Sequence, residues 1–177
     1  MKLIMVYYRK KGMILMQYTT REMTPEDADG KGYVHWKSWQ ETYPGLVDAA
    51  YLSRLTLEKC RQTARRWPEN TLVAQLDGRI VGFSCYCPCR SEDMPGCGEI
   101  SAIYVLKEAQ GLGIGRALMD AAIARLNGCS AVMLWVLQGN DRAIGFYEHY
   151  GFRFDGVSAP ITLGTPSTEL RMVYHRI

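Results

Sequence analysis

Residues 99–118 constrain this chain most. Glu99-Ile100-Ser101-Ala102-Ile103-Tyr104-Val105-Leu106 is an apolar, partly β-branched run, and the short polar break Lys107-Glu108-Ala109 separates it from Gln110-Gly111-Leu112-Gly113-Ile114-Gly115 and an Ala/Leu/Met-rich amphipathic stretch. In order these read as strand, loop, glycine-rich turn and helix. The first N–H groups of a helix lack partners and lie at the positive end of its dipole, so a glycine turn that opens one is built for an anion. Glycines at 111, 113 and 115 leave no Cβ between that backbone and a ligand. Two familiar phosphate loops are excluded. A dinucleotide fingerprint needs a third glycine where Arg116 stands, and a Walker loop needs Gly-Lys-Ser/Thr, which this stretch lacks.

A second stretch adds to the first. Asn140-Asp141-Arg142-Ala143-Ile144-Gly145-Phe146-Tyr147-Glu148-His149-Tyr150-Gly151-Phe152 reads as a helix with Asn140 as its N-cap and Gly151 as its C-cap. Asn140 and Tyr147 are two helical turns apart and share a face. The spacing Gln110-x-x-Gly113-x-Gly115 resembles motif A of the GCN5-related N-acetyltransferases (GNAT), and the Asn, Ala and Phe-Tyr series ending at Gly-Phe resembles motif B. The resemblance covers residues 99–152 and extends more loosely from Tyr18 to the end.

What the resemblance implies is specific. The fold would be α/β (α+β), a mixed, mostly antiparallel sheet of six to seven strands flanked by about four helices. The activity would be N-acetyl transfer from acetyl-CoA, direct and without a metal. The main chain of Ile103, Tyr104 and Val105 would take the pantetheine arm, with the Val105 amide polarising the thioester carbonyl. The amides of Gly111, Leu112, Gly113, Ile114, Gly115 and Arg116, faced by Gln110, would hold the diphosphate. Asn140 would contact the coenzyme arm, and Tyr147 would be the general acid for the leaving thiolate. Glu99 resembles the glutamate that many relatives use as general base, which an amine protonated at neutral pH requires. Read from the residues alone, Glu99 is equally a solvated strand-end carboxylate and Tyr147 a packing residue. The alternative to an enzyme is a non-catalytic module that senses acyl-CoA.

The rest of the chain is read around this core. Residues 17–23 alternate as a first strand, and Thr24-Pro25-Glu26-Asp27 opens a helix that stops before Pro44-Gly45. On that helix Trp39 and Tyr43 share a face that His35 joins; they either wall an acceptor pocket or anchor the helix to the core. A second helix is expected over 49–67, with Arg61, Arg65 and Arg66 as solvated cations near its end. Residues 71–76 and 79–84 form a hairpin about Asp77-Gly78, 131–137 a buried strand, and 152–154 and 169–175 the last two strands. Residues 158–167 read as a Pro/Gly/Thr-containing loop over the site.

Composition sets the remaining bounds. The 177 residues, 47% hydrophobic, suit one domain over 16–177, with 1–15 an N-terminal extension or the product of an upstream start. A net charge of +3 without a Lys/Arg block argues against a nucleic-acid surface. No apolar run is long enough for a membrane span, and Arg9-Lys10-Lys11 split the apolar N-terminus, so a cytoplasmic address is expected. The expected partners are acetyl-CoA and an amine-bearing small molecule or peptide, with a homodimer through the last strand a further possibility. Cys85, Cys87 and Cys89 alternate as strand residues would, on one face, with Cys97 nearby; their spacing is not that of a structural zinc site.

Overall fold

The computed structural model describes residues 2–9 and 12–176, with side chains from residue 17 onward. Eight strands make one sheet: β1 (Lys2–Arg9), β2 (Gly12–Glu22), β3 (Thr71–Leu76), β4 (Arg79–Pro88), β5 (Gly98–Val105), β6 (Ala131–Leu137), β7 (Arg153–Leu163) and β8 (Thr165–His175). Their spatial order is β1-β2-β3-β4-β5-β6-β8-β7. Every pairing is antiparallel except β5 with β6, so the sheet is mixed and mostly antiparallel, as the resemblance implies. The first expected strand starts at Gly12 rather than near residue 16, and β1 lies beyond it at the sheet edge. Residues 1, 10 and 11 are outside the described residues.

Helices cover both faces. They are α1 (Ala28–Thr42), α2 (Ala49–Arg54), α3 (Leu57–Arg66), α4 (Ile114–Arg125) and α5 (Asp141–Tyr150). In β4, Phe83 meets His35 and Lys31 of α1, whereas a Cβ on Gly82 would lie 3.1 Å from Leu118 of α4. Adjacent strand residues point to opposite faces, so α1 and α4 sandwich the sheet. The core between them is built on Val34, Leu72, Phe83, Leu118, Leu134, Phe152 and Met172, all buried.

Three local readings are corrected. Residues 49–67 form two helices, because Leu55 and Thr56 leave the helical region and the Thr56 hydroxyl caps α3 by accepting from the Lys59 N–H at 3.3 Å. Residues 158–167 are not a loop but the end of a hairpin, β7 to β8, turning at Gly164 (φ +84°). Val157, Ala159, Ile161 and Leu163 alternate with Ser158, Pro160 and Thr162 at the period of a strand, and Pro160 is tolerated because β7 is an edge strand. The third correction concerns the cysteines: β4 ends at Pro88, so Cys89 lies beyond the strand and does not continue the alternation of Cys85 and Cys87. Cys85 packs against the main core, whereas Cys89 and Cys97 pack with Met94, Met133 and Trp135. All six cysteines are free thiols, and among the described residues no group of three or more His, Cys, Asp or Glu could hold a metal ion.

Candidate active site

The site follows from where two strands stop pairing. β5 pairs with β4 along its length, but with β6 only through Gly98↔Val132 and Glu99↔Met133. Beyond Glu99 the two part, and a cleft of about 810 Å³ opens between them. In an antiparallel ladder only alternate residues bond to a given neighbour. The Leu106 N–H donates to the Val81 carbonyl at 2.9 Å. Val105 and Ile103, one and three positions back, therefore turn their N–H and C=O groups away from β4 and into the cleft.

The glycine turn forms one end of this cleft. Gly111 (φ +78°) and Gly113 (φ +76°) adopt left-handed backbone that a side chain would strain, and Gly113 is the N-cap of α4. The Ala117 N–H is the first to bond back, to the Gly113 carbonyl at 3.0 Å, so the amides of Ile114, Gly115 and Arg116 have no carbonyl within the helix. Gly111, Gly113, Gly115 and Arg116 line the cleft; the Ile114 side chain is buried in the core. The Gln110 Nε2 donates to the Val105 carbonyl at 2.9 Å, which fixes the turn against the strand end, while its Oε1 is buried without a partner. Arg116 lies over the Tyr150 ring and pairs loosely with Asp120 at 3.9 Å.

These features fit a coenzyme with a diphosphate and an amide-bearing arm. Free helix amides and strain-free glycines suit the phosphates, and outward-facing groups of Ile103 and Val105 suit an arm that pairs like an added strand. Asn140 completes the wall: its Oδ1 accepts from the Ala143 N–H at 3.3 Å, capping α5, and the residue lines the cleft.

Glu99 and Tyr147 line the same cleft. Glu99 is 3% exposed and is not a solvated carboxylate. The Arg90 guanidinium grips both its oxygens, with Nε on Oε2 at 3.1 Å and Nη2 on Oε1, and the Arg90 N–H adds a third bond at 3.4 Å. The loop that carries Arg90 is tied to β8 by the buried Arg171, which pairs with Asp93 at 2.8 Å and with Asp155 at 2.7 Å. Tyr147 is 8% exposed, and its hydroxyl has no hydrogen-bond partner among the described residues. Burial, and then the proximity of Tyr43, push its phenol above the usual range, so it is held protonated.

The aromatic residues of α1 divide. Trp39 and Tyr43 line the cleft with ring centroids 4.7 Å apart. Both reach the Tyr104 hydroxyl, which accepts from the Trp39 Nε1 at 3.0 Å and lies 3.4 Å from the Tyr43 hydroxyl. His35 stands behind Tyr104, stacked on it at 5.8 Å, and does not line the cleft. Burial, and secondarily Lys31, push its imidazole down to about 4, so it is neutral at pH 7. Sequence reasoning missed Arg90 and Glu169, both of which line the cleft. Arg90 and Glu169 carry no local motif. Their places depend on the loop anchored by Arg171 and on the register Leu137↔Glu169.

A parallel strand pair splays beside a glycine-opened helix, with a buried carboxylate and a phenol lining the gap, and together they make a site that fits such a coenzyme. Residues 33–152 match the model of the Acetyltransferase (GNAT) family, and the chain belongs to that family. It is 35% identical over 139 residues to the uncharacterized N-acetyltransferase YuaI of Bacillus subtilis, spanning 75% of this chain and 78% of that protein. It is 26% identical to the probable N-acetyltransferase Rv2775 of Mycobacterium tuberculosis, over 77% and 80% of the two chains. Among solved structures, the PaiA N-acetyltransferase of Thermoplasma acidophilum, in complex with coenzyme A, shares the fold. Its TM-score is 0.71 over 90% of this chain and 99% of that one, at 20% identity.

Proposed function

We propose that this protein is an acetyl-CoA-dependent N-acetyltransferase that transfers the acetyl group directly to a primary amine of a small molecule or peptide in a ternary complex. The observation that carries the reading is that Glu99 and Tyr147, from different elements, line one cleft whose other end is the glycine turn. A module that only senses acyl-CoA has no need of that convergence.

Acetyl-CoA supplies an activated acetyl group as a thioester. The chain's own groups do the rest. The Gly111–Arg116 turn and the Ile103 and Val105 main chain fix the coenzyme's position, and the Val105 N–H is aimed into the gap where a carbonyl oxygen can accept from it. Glu99 takes the ammonium proton, directly or through one water, with Arg90 holding its carboxylate in place. Tyr147, protonated and unpartnered, donates its proton to the departing thiolate and is recharged from solvent through the open cleft. Tyr104, anchored by Trp39 and Tyr43, stiffens the strand at the point where the arm is bound.

The test is free-thiol release from acetyl-CoA across a panel of amines, with wild type beside Tyr147→Phe and Glu99→Gln. The reading expects turnover with one amine class, lost in both variants while coenzyme still binds. Tight coenzyme binding with no turnover on any amine, unaffected by either substitution, would make the protein an acyl-CoA sensor.

A further inference from the structure

The reaction proposed above gives work to Glu99 and Tyr147 but leaves a second carboxylate in the cleft unexplained. Glu169 of β8 lies opposite Leu137 of β6 and lines the same cleft. It is half-buried, and its carboxylate has no hydrogen-bond or ion-pair partner among the described residues. Burial, and then the Glu99 charge, push its carboxyl above the usual range. Arg90, which also lines the cleft, already holds both oxygens of Glu99. Two carboxylates thus line the cleft within electrostatic reach of each other, with a guanidinium bound to one of them, and the unmatched one is near enough to the Tyr43 hydroxyl to help it keep its proton, after burial has raised it.

The surroundings favour a cation over an uncharged group. Trp39 and Tyr43 line the cleft with Glu169, and so does Tyr147, 8% exposed, whose hydroxyl has no partner among the described residues. An ammonium bonded to the carboxylate and seated against aromatic faces gains from both. A carboxylate on the acceptor, such as that of a free amino acid, would face Glu169 and be repelled.

We infer that Glu169 reads a second positive charge on the acceptor, so that the preferred substrates are small diamines whose one amine reacts beside Glu99 while the other is held at Glu169. This rests on the acetyltransferase reading given above. The test is kcat/KM for diaminopropane through diaminohexane, each against the monoamine of equal chain length, in wild type and Glu169→Gln. Wild type is expected to prefer the diamine by about tenfold or more, and Glu169→Gln to bring that ratio close to one. A wild type with no preference, or a ratio that survives Glu169→Gln, overturns the inference while turnover itself upholds the reaction. Should no amine be turned over, calorimetry of the same amines on protein saturated with coenzyme A decides. Diamine binding that Glu169→Gln abolishes upholds the inference without the reaction, and its absence overturns it. Should Glu169→Gln fail to fold, Glu169→Asp keeps the charge one methylene further back. A shift of the preferred diamine to a longer chain then supports the inference, and an unchanged optimum overturns it.

Discussion

Tyr147 is buried beside the cleft and His35 half-buried behind it, and their substitutions separate chemistry from stability. The Tyr147 hydroxyl bonds to no described residue, so removing it forfeits no hydrogen bond of the fold. Tyr147→Phe is expected to lower kcat by about a hundredfold, the usual scale for a general acid, while Tm stays within about 2 °C. A kcat that stays near wild type would leave Tyr147 a packing residue. His35 has no contact with the cleft, and its imidazole is held neutral down to about 4 against 6.5 in the unfolded chain. Between those values the unfolded state binds the extra proton, so stability rises with pH, by roughly 3 kcal/mol across the window. Urea unfolding of wild type against His35→Leu, at pH 4.5 and pH 7, checks this. The stability gap between the two pH values should shrink in the variant, and a variant with an unchanged gap contradicts the assignment. Asp27 is held below its usual range by the Arg21 hydrogen bond, so its loss of stability falls at lower pH and does not overlap.

At the scale of elements, the hairpin β7–β8 lines the cleft through Ile161, Leu163 and Glu169, and its turn docks on the start of α2. A Cβ at Gly164 would lie 2.5 Å from the Asp48 Cβ, and Asp48 caps α2 by accepting from the Tyr51 N–H at 2.9 Å. Gly164→Ala therefore combines positive-φ strain with a clash at a cap, and is expected to cost more than about 2 kcal/mol in chemical denaturation. A cost near zero would mean that the turn moves freely over the cleft. The elements that the sequence announces are those with local signals. The Asp77-Gly78 turn, the Asn140 cap, the glycine turn into α4 and the break before Pro44 depend on nearest neighbours and sit where the residues say. The hairpin over 158–167 was obscured by Pro160, Gly164 and Pro166, which are loop formers in isolation and are tolerated here by an edge strand and a tight turn.

Across the whole molecule, the site exists because one parallel pair, β5 with β6, stops after two residues. No single residue states that. The glycine turn, the Asn140 helix and Glu99 could be read from spacing and resemblance, whereas Arg90, Glu169 and the hydroxyl cluster of Tyr43 and Tyr104 meet only through register and loop anchoring, over long sequence separations. Glu99, the glycine turn and Tyr147, the groups proposed as base, coenzyme cradle and acid, come from β5, the start of α4 and α5 and line one cleft. The central claim is that this edge is where acetyl-CoA binds, and residue-resolved amide hydrogen exchange by NMR, with and without coenzyme A, tests it most directly. The account predicts slowed exchange at Ile103, Val105 and the amides from Gly111 to Arg116, with little change along β1 and β2. Coenzyme binding that leaves those amides exchanging as before, and protects a different segment, would contradict it.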